Sequence, residues 1–116
     1  MELTLDLSYL NEISAGDTEF IGSILSTFLE ETPKDIVNIK EAISQQAIAD
    51  LGKLAHKNKS SLHILGLAKV KEVALNIELM AKKDKENPAI LTQANSLVNQ
   101  LSAALVLVEA ALLKLS

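Results

Sequence analysis

Apolar positions recur along this chain in steps of three and four, the period of a helix face rather than of a strand. Phe20, Ile21, Ile24, Leu25, Phe28 and Leu29 form one such stripe, and Ile36, Ile39 and Ile43 continue it. A third helix is expected over residues 47–65, with Gly66 ending or bending it. Val70, Val73, Ala74, Ile77 and Met80 mark the next helix. Leu91, Ala94, Val98, Leu101, Leu105, Val108 and Leu112 form the seam of the last. A short apolar turn over residues 7–13 stands in front and stops near Gly16.

The polar positions punctuate this pattern. Asp17 can cap the first long helix, and "KDKENP" reads as a loop in which Asn87 caps the last helix ahead of Pro88. "ETPKD" carries the same signature inside the first stripe. Thr32 would be the cap, Pro33 the first helical position and Asp35 an acid at the positive helix end, so the helix is expected to break there. The pattern predicts an all-α fold: an antiparallel four-helix bundle with a short N-terminal helix and a proline break in the first long helix. Residues 1–116 make one domain, with no repeat or linker.

Composition narrows the chemistry. Hydrophobic residues reach 48% but aromatics only 3%, so the core is built from Leu, Ile, Val and Ala. The net charge is −4, with lysines and no arginine, which argues against a nucleic-acid partner. There is no cysteine, hence no disulfide and no thiolate metal site. "MELTLDLSYL" lacks the basic start of a signal peptide. The most apolar run, residues 103–113, contains Glu109 and falls short of the roughly 20 residues that span a bilayer. No membrane association is expected, and the protein is expected to be soluble and cytoplasmic.

Both histidines lie in "LAHKNKSSLHILGL". At 100° per residue, Leu51, Leu54, Ala55, Leu62 and Leu65 share the core side of this helix. His56, Lys59, Ser60 and His63 share the opposite side, with the small residues Gly52 and Ala49 one and two turns before His56. Taken singly, each reads as solvated surface. Together they raise chemical alternatives. His56 and His63 are seven residues, roughly 10 Å, apart along a helix, too far to ligate one zinc. Ser60 lacks a G-x-S-x-G elbow, and no glycine-rich phosphate loop exists, so neither a hydrolase nor an ATP site is supported. A phosphoryl relay needs less. A neutral imidazole is a nucleophile near physiological pH, and a cation one turn away can offset phosphate charge.

These residues resemble the signature of histidine-containing phosphotransfer (HPt) domains, broadly Ala-His-x-Leu-Lys-Gly, then small residues, then Leu-Gly. Ala55, His56, Lys59, Ser61, Leu65 and Gly66 match it, and "AGDTEFIGSILSTFLEETPKDI" resembles the family upstream. The resemblance implies a bundle with an exposed phosphorylatable histidine, His56, and Nε2 as the expected reacting nitrogen. It implies a phosphorelay carrier, not an enzyme and without kinase activity. The carrier would take phosphate from the aspartate of a response-regulator receiver domain, or of a hybrid kinase's receiver, and pass it to another. Lys59 would stabilise the phosphohistidine. Ala49, Gly52, Lys53, Ser60 and His63 would form the docking face, and Phe20, Ile21 and Ile24 could extend it if they are not core. No cofactor of its own is implied; Mg²⁺ would sit in the partner receiver. A monomer is the default, with self-association through the last helix as the competing assembly.

Two positions depart from the family pattern. Ser60 stands where a glycine is usual, and Asn58 where an apolar residue is usual. Asn58 falls near the centre of the core face. A buried amide without partners costs on the order of 1–3 kcal/mol, so a hydrogen bond to a neighbouring helix or to a backbone carbonyl is expected. Asn58 also supports an alternative: an adaptor that binds receivers without being phosphorylated.

Overall fold

A computed structural model describes residues 3–115. Five helices follow in order: α1 (Ser8–Ile13), α2 (Thr18–Gln45), α3 (Ile48–Ile64), α4 (Ala68–Lys83) and α5 (Ala89–Leu115). Helix α2 packs on α3 and α5, and α4 packs on α3 and α5, so the four long helices close a ring in chain order. Their short connections turn each helix back along the one before it. The architecture is the four-helix bundle that the apolar stripes predict, with α1 in front. The stripes converge on one core, where Leu25, Ile39, Leu51, Leu62, Ile77 and Leu101 are all buried.

Two expected helix starts are present. The Asp17 carboxylate accepts hydrogen bonds from the backbone N–H groups of Glu19 at 3.0 Å and Phe20 at 3.3 Å. The Asn87 side-chain oxygen accepts one from Ala89 at 2.9 Å. The expected break at Pro33 is absent. Helix α2 runs unbroken through it, and Thr32 is a buried helical residue, not a cap. Proline inside a helix costs about 3 kcal/mol, since it removes one hydrogen bond and crowds the preceding turn. Packing on both sides outweighs that cost. Phe28 and Thr32 are buried before Pro33, and Asp35, Ile36 and Ile39 after it, while Pro33 itself faces solvent. Asp35 does not mark a helix end either. Its buried carboxylate receives the Lys57 ammonium of α3 at 2.7 Å, which ties the second half of α2 to the bundle. That contact is also the main reason the Lys57 ammonium is held above its ordinary range.

Asn58 is 4% exposed, on the core side of α3 as its register predicts. Its amide donates to the Leu54 carbonyl at 2.8 Å, so the partner is a backbone carbonyl of its own helix. That carbonyl already belongs to the helical ladder, so the bond offsets little of the cost of burying the amide. Asn58→Leu is expected to raise stability by about 1–2 kcal/mol, seen as a higher melting temperature. A lower melting temperature would mean the site has no room for the branched side chain.

Helix α3 ends on Gly66, whose φ is +65°. The N–H of Gly66 donates to the His63 carbonyl and that of Leu67 to the Leu62 carbonyl, the paired bonds of a Schellman cap. The N-terminal segment crosses this turn. The Asp6 N–H donates to the Leu65 carbonyl at 3.3 Å. Just beyond it, Leu10 of α1 is wholly buried in the core.

Helix α5 is longer than the apolar run at residues 103–113 suggests. By length and composition it could cross a membrane. Here Ile90, Ala94, Leu97, Val98, Leu101, Ala104 and Val108 pack it into the bundle.

Candidate functional site

The core face of α3 determines what its other face presents. Leu51, Ala55, Asn58 and Leu62 point inward, which turns His56 out, with its side chain 68% exposed. Across from it on α4, Ala74, Ile77 and Ala81 are buried, and Glu78 lies on the border of that face. The two helices approach closely at Gly52, where an added Cβ would sit 2.8 Å from the Cβ of Ala81. Glycine there sets the α3–α4 spacing beside His56.

Glu78 joins the site. One carboxylate oxygen lies 2.5 Å from Nδ1 of His56, and the other accepts from the Lys59 ammonium at 2.6 Å. The hydrogen bond from Lys59 is the largest influence holding the Glu78 carboxyl below its ordinary value. Burial acts in the opposite direction, and the bond to His56 adds to the lowering. Glu78 is therefore an anion at neutral pH. A depressed carboxylate contributes stability above its unfolded value and loses it as pH falls through the lowered one. The chemical consequence is at His56. An anionic carboxylate can only accept, so Nδ1 carries the proton and the Nε2 lone pair is left free on an exposed ring.

A groove of about 560 Å³ opens beside this histidine. Ala49, Gly52 and Ala81 contribute its small apolar side chains, and Lys53, Lys82 and Lys85 its cations. Among the described residues none of these three lysines enters an ion pair.

The sequence-predicted residues divide accordingly. Ala49, Gly52 and Lys53 line the groove with His56. Ser60 is exposed but lies outside that lining. Lys59 is 25% exposed and bound to Glu78 rather than free beside the imidazole. His63 is at the other end of α3. Its Nδ1 receives the Lys71 ammonium at 3.1 Å, and its ring centroid lies 5.1 Å from that of Tyr9. Of the three apolar residues of α2, Ile21 is core, Ile24 packs against the core and Phe20 is 44% exposed. None lines the groove. Phe20 precedes Asp35, the α2 contact of Lys57, by fifteen residues, roughly 22 Å of helix.

Glu78, Ala81, Lys82 and Lys85 do not follow from the α3 motif. One signal for Glu78 was available: an acid four residues after Ala74 and three before Ala81, on the edge of an apolar stripe. Among the described residues no cluster of His, Cys, Asp and Glu could hold a metal ion.

The Hpt domain family matches residues 23–110. The sensor protein EvgS of Escherichia coli K12 is 28% identical over 92 residues, 79% of this chain. The match spans 8% of that protein's length. The crystal structure of histidine-containing phosphotransfer protein B (HptB) from Pseudomonas aeruginosa PAO1 superposes with a TM-score of 0.74 at 18% identity. The superposition covers 95% of this chain and 91% of that one, which shows a shared fold. With a family match over most of its length, this chain belongs to the Hpt domain family, the phosphocarriers of two-component phosphorelays.

Proposed function

We propose that His56 is the residue that carries the phosphoryl group. It takes the group from the aspartyl phosphate of one receiver domain and passes it to the aspartate of another. The observation that carries this reading is the held imidazole: Nδ1 bound to Glu78, Nε2 free on an exposed ring at the edge of a groove. Transfer mainly requires positioning and charge neutralisation, and the chain offers both. Lys59 brings its charge to the site through Glu78, while Lys53 and Lys82 line the groove beside the ring. The partner receiver supplies the acyl phosphate and its Mg²⁺. The domain has no kinase activity of its own and acts as a cytoplasmic monomer. Asn58 bonds a carbonyl of its own helix, which fits either the carrier or the adaptor reading.

The test is transfer from a panel of phosphorylated receivers, with the label mapped by peptide. Acid-labile, alkali-stable label on the peptide containing His56 supports the reading. Binding to a receiver without label would favour the adaptor.

The lysines make a second, milder prediction. A basic groove speeds encounter with an acidic partner surface, most strongly at low salt. Lys82→Glu combined with Lys85→Glu is expected to slow transfer roughly tenfold at low ionic strength, with the difference shrinking as salt is added. An equal slowing at all salt concentrations would assign these lysines to contacts rather than to steering.

A further inference from the structure

We propose that Lys53 is the cation that meets the phosphoryl group on Nε2 of His56, while Lys59, to which the family motif gives that task, stays committed to Glu78. The inference rests on His56 being the carrier, and it assigns the side chain that touches the group His56 carries.

The lysines near the ring differ in what already holds them. Three lie within a turn of His56 on α3: Lys53, Lys57 and Lys59. The Lys57 ammonium is turned to Asp35 of α2 at 2.7 Å. The Lys59 ammonium is held by Glu78 at 2.6 Å, so its charge balances an anion that is already present. Among the described residues Lys53 enters no ion pair. It shares a second hollow with the acids Glu41 and Asp50, yet neither pairs with it. Its ammonium is free to turn to an anion that arrives.

The groove sets where that anion is met. The α3 residues that line it with His56 all precede His56 in the chain: Ala49, Gly52 and Lys53. Helical side chains lean toward the helix N-terminus, which carries the imidazole over that preceding turn. Gly52 places no side chain there, so a group on Nε2 projects into open groove with Lys53 on its flank. Lys53 is three residues from His56, roughly 4.5 Å along the axis, within reach of a flexible lysine stem. Lys82 and Lys85 line the same groove but stand farther off. Glu78 lies across from His56 and Ala81 across from Gly52, so residues after Ala81 recede from the ring. A phosphoryl group adds up to about two negative charges beside the Glu78 anion. An uncommitted cation lowers the cost of that charge in the loaded state and as it develops during transfer.

Lys53→Met tests this with phosphoramidate, a small phosphoryl donor that needs no receiver. On loading, Nε2 forms the N–P bond while the donor's own P–N bond breaks, and that electron pair leaves with ammonia. The variant should load about tenfold more slowly, and the deficit should persist at high salt, because a direct contact is screened far less than long-range attraction. Lys53→Arg keeps the charge and should restore most of the rate. Lys69→Met removes the same charge from the exposed start of α4 and should load as wild type does. Phosphorus-31 NMR of the loaded proteins supplies a readout that a structural role would not move. A neighbouring cation favours the dianion, so the phosphoryl group of the Lys53→Met variant should lose its last proton on the order of one pH unit higher than in wild type. An unshifted phosphoryl titration, or a variant that loads at the wild-type rate, would overturn the proposal and return the task to Lys59. A deficit that salt abolishes would also overturn it, since that is the mark of steering. Wild-type protein left unlabelled by phosphoramidate and by every receiver would instead sink the carrier reading, and this role for Lys53 with it.

Discussion

His56→Gln should take up no label from any phosphorylated receiver that loads the wild-type protein. The variant keeps a polar side chain of similar reach, but its amide nitrogen has a delocalised lone pair and does not attack phosphorus. The fold should tolerate the change. The His56 side chain is 68% exposed, and a glutamine amide can still donate to the Glu78 carboxylate, so stability should stay within about 1 kcal/mol of wild type. A matched melting temperature with complete loss of label isolates the chemistry from the scaffold. Label persisting on the variant would point to another nitrogen. His63 is the first to examine, since it is exposed on the same helix. Its Nδ1 faces the Lys71 ammonium and not a carboxylate, so it lacks the anion that accompanies His56.

Gly66→Val should be the most damaging single substitution to the fold. Two independent costs meet there. The φ of +65° lies in the left-handed region, which costs a residue with a side chain roughly 1–2 kcal/mol, and a β-branched one more. A Cβ at this position would also sit 2.0 Å from the Asp6 carbonyl oxygen and 2.8 Å from its carbon. Backbone cannot swing aside as a flexible side-chain tip can. The N-terminal segment must lift off, and Leu10, now fully buried, is pulled with it. A loss of about 3–5 kcal/mol is expected, against the 5–15 kcal/mol that holds a typical domain together. Denaturant melts would show this as a large fall in midpoint, or as failure to fold. Gly66→Ala should fall between the two and remain foldable. Because Gly66 lies ten residues, roughly 15 Å of helix, from His56, the folded Ala variant should still accept phosphate. A Val variant as stable as wild type would mean that the N-terminal segment is not held against this turn.

The legibility of this protein follows the range of the forces involved. Exposure of His56 and burial of Ala55, Asn58 and Leu62 depend on the register of one helix, and a sequence displays register directly. Helix caps at Asp17 and Asn87 are local for the same reason, since donor and acceptor are two or three residues apart. Asn58 was half legible. Its burial followed from register, but whether its partner lay on a neighbouring helix or on its own backbone did not. Pro33 misled because local chemistry was weighed without the packing around it. Its ring favours a helix start, yet buried residues on both sides and the Asp35–Lys57 contact carry the helix through.

The alternation of apolar and polar positions, with the His56 motif inside it, was enough to determine the bundle, the inward face of α3 and the histidine that faces solvent. The partner of that histidine was decided only in three dimensions. Glu78 stands 22 residues away on α4. The close approach at Gly52 and Ala81 brings that helix near α3. A helical period states which way a side chain points. It does not state which residue of a facing helix lies at the same height, because that depends on loop lengths and on the packing of every side chain between. For this reason Lys59 could be placed near His56 from the sequence, while its engagement by Glu78, and with it the position of the imidazole proton, could not.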